Sequence, residues 1–417
     1  MKLRLAVLLV VAQFGFFAVA EAQQKSSDHW VATWATAELL VRTPPAATAP
    51  KGFGNQTVRM AARVSIGGQR VRVKIANAFG SAPLVVGKAH IALRSKESEI
   101  VAASDHALSF AGKPGCTIGP GIVMISDPVD MTVAPLADLS VSLYFPEDTG
   151  APTGHGTGLH YTYIKDGDAT ADASLPDAKK TEQYYWLAGI DVAAPAAAAA
   201  VVAFGDSITD GARSVTETDH SWPALLAARL VANKATANIG VANLGIGGNR
   251  VLRDITGASA LARFDRDVLS QSGVKWVMFL EGINDIGHGA VAPAEAVTAE
   301  DLIAGHKLIV EMAHAHGIKA IGCTLTPYEG ASYARETGEA IREALNTWIR
   351  TSGVYDAVVD FDAATRDAAN PKRIRAEFDP GDHLHPNNAG YEAMANAVDL
   401  TIFGVQAGKP ASAKKKK

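Results

Sequence analysis

Between residues 28 and about 190 the apolar positions recur every second residue. Val58, Met60, Ala62, Val64 and Ile66 alternate with positions that include Arg59 and Arg63, and Gly67-Gly68 follows. Val71, Val73 and Ile75 then alternate with Arg70, Arg72 and Lys74. A two-residue period places one set of side chains in a core and the other in water, so the two runs read as a β-hairpin. Further strand-like runs lie at Leu84–Val86, His90–Leu93, Ile122–Ile125 and Leu139–Phe145, punctuated by Pro and Gly. Many short strands with no helical period predict a β-sandwich, jelly-roll-like in kind.

Residues 193–200 are nearly pure alanine around Pro195, which places the domain junction there. From about 198 the period changes. Continuous apolar runs recur at Val201–Phe204, Ile239–Asn243, Trp276–Leu280, Ala320–Leu325 and Ala357–Phe361. Helix-like segments separate them, including Trp222–Ala232, Ala299–His316 and Gly338–Arg350. Strands apolar on both faces, alternating with helices, predict a parallel sheet covered on both sides. In such sheets ligands bind beyond the carboxyl ends of the strands.

The ends follow other rules. Lys2 and Arg4 precede an almost wholly apolar stretch, Leu5–Val19, and Ala20-Glu21-Ala22 offers small residues either side of Glu21. That order is a secretory signal peptide cut after Ala22, which implies a secreted or periplasmic protein. Lys414–Lys417 reads as a solvated, disordered basic end. The expected plan is a signal peptide over 1–22, a β-sandwich domain over 28–192, an α/β domain over 198–405 and a basic tail over 406–417. With 48% hydrophobic and 20% charged residues, packed cores are expected. A net charge of −4 gives no basic footprint for nucleic acid, and no segment after the leader supports stable membrane insertion. Cys116 and Cys323, the two cysteines, read as free thiols, a single bridge being the lesser alternative.

Four segments carry chemistry. Gly205-Asp206-Ser207-Ile208-Thr209-Asp210-Gly211 follows the first apolar run. A serine at a strand-to-helix turn is accessible, although Asp and Ser are also ordinary helix N-caps. Asn243-Leu244-Gly245-Ile246-Gly247-Gly248-Asn249-Arg250 follows the second run, where glycines permit close backbone approach and an ordinary turn is the plainer reading. Glu281-Gly282-Ile283-Asn284-Asp285 follows the third, and an asparagine there can aim an amide N–H at developing charge or merely satisfy a loop. Asp382-His383-Leu384-His385-Pro386 lies some twenty residues beyond the fifth. An acid three residues before a histidine can orient it.

In this order the four segments resemble the sequence blocks of SGNH (GDSL-like) hydrolases, over about 200 residues from Val201 to roughly Phe403. The resemblance implies a flavodoxin-like three-layer α/β domain and a serine esterase without cofactor or metal. It implies Ser207 as nucleophile, His385 as general base and Asp382 as its orienting acid. It implies an oxyanion hole from the Ser207 and Gly247 backbone N–H groups and the Asn284 side chain. Trp30-Val31-Ala32-Thr33-Trp34 and the run Val71–Gly80 resemble the β-rich leader of a two-domain bacterial subgroup associated with arylesterases and acetylxylan-type esterases. The function this implies is hydrolysis of short-chain, acetyl-type esters of carbohydrate or aryl alcohols, with a small-molecule or polysaccharide ester as partner.

Alternatives remain at this level. A lipase or phospholipase-type acylhydrolase on longer chains shares the motifs. A non-catalytic glycan-binding protein would keep the fold without the chemistry. A metal site from Asp382, His383 and His385, or from His314 and His316, lacks the accompanying ligand motifs. The α/β-hydrolase elbow requires Gly-x-Ser-x-Gly, which Ser207-Ile208-Thr209 does not supply. His155 and His160 read as loop or core residues with no partner in view. Tyr328 reads as a pocket residue and Trp222 as core.

Overall fold

The computed structural model describes residues 28–40 and 52–404; the leader at 1–22 and the tail at 406–417 lie outside the described residues. Residues 28–193 build two main antiparallel sheets. One runs in the order Trp30–Ala35, Leu187–Ala193, Gly68–Ala76, Val129–Val133, with Val123–Ile125 also on Gly68–Ala76. The other runs Lys179–Thr181, Thr162–Asp166, Gln56–Arg63, Asp138–Phe145, Lys88–Leu93, His106–Ala107. Side chains from both, including Val58, Met60, Val71, Val73, Val141 and Ile190, share one buried cluster.

The hairpin expected from the alternation does not form. Gln56–Arg63 pairs with Asp138–Phe145 and Thr162–Asp166, whereas Gly68–Ala76 pairs with Leu187–Ala193 and Val129–Val133. The connection turns from one sheet into the other because Val64 and Ile66 are themselves buried. Thr33 pins it, donating its Oγ1 proton to the Ile66 carbonyl at 2.7 Å and accepting from the Ile66 N–H at 2.9 Å. Arg59, read as a solvent-facing position, is also buried. Loops close over it and take its protons: Nε donates to Ser142 Oγ (2.8 Å), Nη1 to the Ser98 carbonyl (2.7 Å) and Nη2 to the Asp172 carbonyl (2.8 Å). A buried guanidinium is tolerated only with such partners.

The second half holds a parallel sheet of Ala199–Gly205, Ile239–Gly245, Val274–Leu280, Lys319–Cys323 and Ala357–Val359. Numbered along the chain, their spatial order is 2-1-3-4-5, the flavodoxin-like doubly wound order. All seven residues of the interior strand Ala199–Gly205 are buried, as a strand covered on both faces requires. Helix Trp222–Ala232 begins with Pro at its first turn and buries Trp222 against Phe361, so Trp222 is core. Helix Ala299–Ala315 is started by a capping box between Thr298 and Asp301. Among the described residues no helix is long and apolar enough to cross a membrane. Cys116 and Cys323 are both free.

The two halves touch through polar groups as well as through the core. The Ala32 N–H donates to the Ser272 carbonyl at 2.9 Å, and Val241 N–H donates to Ser65 Oγ at 2.8 Å. Arg72 and Lys74 meet the fully buried Asp191, which also accepts from Ser272 Oγ at 2.7 Å.

Candidate active site

The first three motifs leave the carboxyl ends of the three adjacent strands 1, 2 and 3, and close backbone contacts lock them together. Asp206 is the N-cap of the short helix Ser207–Asp210, accepting from the Ile208 N–H at 2.9 Å. Gly245 is required by proximity: a Cβ there would fall 2.2 Å from the Asp210 backbone nitrogen. The glycine lets two loops of the protein approach each other, not only a ligand. Asn243 donates its side-chain amide to the Thr209 carbonyl at 2.9 Å. Arg263, wholly buried, donates to the Gly205 carbonyl (2.9 Å), the Leu244 carbonyl (2.7 Å), Asn249 Oδ1 (2.9 Å) and Asp267 (2.8 Å). Its guanidinium also lies 4.1 Å over the Phe204 ring. Asp285 joins the third motif to the second by accepting the Val251 and Leu252 N–H groups at 2.8 and 3.1 Å.

On this frame Ser207 Oγ lies 2.8 Å from His385 Nε2, although the two residues are 178 apart in sequence. His385 Nδ1 lies 2.9 Å from Asp382 Oδ2. The other oxygen of Asp382 accepts backbone N–H groups of Leu384 and His385 at 3.1 and 3.0 Å, and Oδ2 also accepts from Arg213 Nε at 2.9 Å. Burial alone would raise the Asp382 carboxyl, yet these donors hold it well below the usual carboxylate range. An ionised acid on Nδ1 fixes the imidazole with its proton there, leaving Nε2 free to accept from the serine hydroxyl. This chain of contacts can activate a hydroxyl nucleophile.

Gly247 stands beside the serine: a Cβ on it would be 4.0 Å from Ser207 Cβ and 4.0 Å from Asp210 Oδ2. Asn284 opens helix Ile283–Val291 behind Gly282, whose φ is 125°. Its Nδ2 donates one proton to the Asn249 carbonyl at 2.9 Å, and its Oδ1 accepts from the Tyr333 hydroxyl at 3.2 Å. Those two bonds fix the amide plane, and the second Nδ2 proton is the one it has to offer a ligand.

Several residues around the site have no catalytic role assigned by the sequence. Asp206, Glu281 and Asp285 are buried close enough to act on one another's charge. Burial pushes Asp206 up to about 7 and Asp285 to about 6, and drives Glu281 well above its ordinary value. His155, on the N-terminal half, reaches Asp210 Oδ1 with Nε2 at 2.9 Å and the Ala37 carbonyl with Nδ1 at 2.7 Å. His160 meets Asp219 at 2.9 Å and Glu217 at 3.3 Å. Only Gly-rich surroundings marked these histidines, because their partners lie 55 or more residues away. Tyr328 borders a cavity of about 400 Å³ together with Glu329, Arg335, Glu339 and Lys372. His314 pairs with Asp356 at 2.8 Å, and among the described residues no group of three or more His, Cys, Asp or Glu is arranged to hold a metal ion.

Residues 203–393 match the model of the GDSL-like lipase/acylhydrolase family. No curated protein matches the chain. Solved structures similar to it include a putative lipolytic protein of the G-D-S-L family from Desulfitobacterium hafniense (26% identity, 48% of this chain and 96% of that one, TM-score 0.37). A putative arylesterase from Agrobacterium tumefaciens is 19% identical over 50% of this chain and 100% of its own, TM-score 0.40. An acetyl xylan esterase is 22% identical over 48% of this chain and 96% of its own, TM-score 0.37. The stretch from residue 203 to residue 393 is thus similar to the GDSL-like lipase/acylhydrolase family, whose members are carboxylic ester hydrolases.

Proposed function

We propose that the protein is an exported serine esterase that hydrolyses short-chain esters, acetyl first, of carbohydrate or aryl alcohols through an acyl-enzyme on Ser207. The observation that carries this reading is the unbroken contact chain Ser207–His385–Asp382. In the first step Ser207 Oγ attacks the ester carbonyl carbon while its proton passes to His385 Nε2. The carbonyl oxygen becomes O⁻ and takes N–H donors from the Ser207 and Gly247 backbone and the Asn284 amide. Collapse expels the alcohol, which takes the proton from His385. Water then attacks the acyl-enzyme by the same route, releasing the acid and restoring Ser207.

The short-chain preference is supported by the polarity of the groups around the serine: Asn284, Gly247, the Tyr333 hydroxyl and the Asp382–His385 loop. Each methylene of a longer chain contributes about 0.8 kcal/mol only where it is buried. Cleavage after Ala22 would put the enzyme among extracellular polymers. In the same reading residues 28–192 are a β-sandwich domain and 198–405 the hydrolase domain. The test is kcat/KM on p-nitrophenyl acetate through decanoate, with acetate release from acetylated xylan alongside. Preference for acetate with release from xylan is expected; preference for decanoate with no release from xylan makes the protein a lipase instead.

A further inference from the structure

We propose that residues 211–221 are a strap by which the N-terminal β unit positions the Asp382–His385 loop, with Arg213 as the positioning residue at its working end. The proposal rests on reading Ser207, His385 and Asp382 as the hydrolytic triad.

The strap leaves the nucleophile helix Ser207–Asp210 at Gly211 and ends before helix Trp222–Ala232. One end is gripped by the N-terminal half. Glu217 Oε2 accepts from Arg94 Nη1 at 2.6 Å, its Oε1 accepts from the Tyr161 N–H at 2.8 Å, and its own N–H donates to the Leu159 carbonyl at 2.8 Å. Asp219 lies 2.9 Å from His160 Nε2 and 3.1 Å from Arg63 Nη1. Arg63, Arg94, Leu159, His160 and Tyr161 all come from the β unit.

The other end grips the catalytic loop and the helix after it. Arg213 Nε donates to Asp382 Oδ2 at 2.9 Å, Val215 N–H donates to Asn388 Oδ1 at 3.0 Å, and the Ala212 carbonyl accepts from the Tyr391 hydroxyl at 2.6 Å. Within the strap the gripping residues Arg213, Glu217 and Asp219 all hold positive φ (71°, 66° and 54°), a region that non-glycine residues occupy only when their surroundings enforce it.

An exposed ion pair contributes little to stability, and the Arg213 side chain is 60% exposed. Its effect is geometric. The backbone N–H groups of Leu384 and His385 fix one oxygen of Asp382 from within the loop. Arg213 fixes the other, the oxygen that meets His385 Nδ1. The carboxylate plane, and through it the imidazole, is therefore set partly by a segment anchored in the β unit. A displacement of about 1 Å at such a group can cost on the order of a hundredfold in rate.

The test is steady-state hydrolysis of p-nitrophenyl acetate by the full mature chain and by Arg213→Ala, Arg213→Lys, Glu217→Gln, Asp219→Asn and the Arg213→Ala/Glu217→Gln pair, with Ser207→Ala as reference. Arg213→Ala and Glu217→Gln are each expected to lower kcat about tenfold or more while KM moves less than about twofold. Arg213→Lys restores part of the loss. The double variant falls no further than Arg213→Ala, because both changes cut one mechanical path although the two side chains do not touch. Asp219→Asn lowers kcat likewise and serves if Glu217→Gln does not fold. The strap is overturned if Arg213→Ala keeps kcat within about twofold of wild type, or if the two losses multiply in the double variant. An active Ser207→Ala would instead sink the triad reading, and the strap with it.

Discussion

The ion cluster at the junction of the two halves makes stability depend on pH in a calculable way. His160 is 6% exposed. Burial by itself would lower its imidazole, but the carboxylates of Asp219 and Glu217 hold it up at about 9. In an unfolded chain the same group titrates near 6.5, so a gap of roughly 2.5 pH units corresponds to about 3 kcal/mol. A base whose folded value is raised contributes fully below about pH 6.5, and the contribution fades as pH climbs from there to about 9. Glu217 behaves oppositely. Burial would raise it, yet His160, Arg94 and the Tyr161 N–H pull it down to about 2, so its contribution holds above about 4.5 and is lost as pH falls towards 2. Above pH 6 Glu217 stays ionised, so the difference between wild type and a His160 variant isolates this imidazole. Replacing His160 by Gln removes the titration and keeps a similar volume. Urea unfolding of wild type and His160→Gln between pH 6 and 9.5 is expected to show a stability difference that shrinks by about 3 kcal/mol across the range. A difference that stays flat would refute a charged His160 in this cluster.

Two further outcomes follow from the site. Asn284→Ala is expected to lower kcat by about 10²–10³ with little change in KM, since its free amide proton would matter when O⁻ forms; stopped-flow and steady-state kinetics that leave kcat unchanged would remove it from the oxyanion hole. Arg263→Ala takes donors from the Gly205 and Leu244 carbonyls and leaves buried Asp267 to Arg266 alone, so urea unfolding should show a loss of about 2–4 kcal/mol; a loss below about 1 kcal/mol would mean the loops are held by something else.

What could be read from the chain was local. Apolar runs at 201–204, 239–243 and 276–280 lie inside three strands of the parallel sheet, because a strand buried on both faces leaves an unbroken apolar signature. Trp222–Ala232 was legible to its ends because Pro223 fits a helix only in its first turn. The four motifs were legible because each is contiguous in sequence. Long-range partnership was not. A two-residue period says which face of Gln56–Arg63 is apolar but not which strand lies beside it, so a sheet-to-sheet crossing reads as a hairpin. Arg59 reads as a surface position, yet it is buried, as are Arg250 and Arg263, because their acceptors come from distant loops. Arg213 lies outside the four motifs, and its contact with Asp382 spans 169 residues. His155 and Asp210 pair across the two halves with no sequence trace of the pairing.

The central claim is that Ser207, activated by His385, carries the acyl group. Fluorophosphonate labelling followed by peptide mapping tests it most directly. The account predicts one label per chain, on the peptide containing Ser207, lost in Ser207→Ala and strongly slowed in His385→Ala. Undiminished labelling in Ser207→Ala, or a label mapped to another serine, would contradict it.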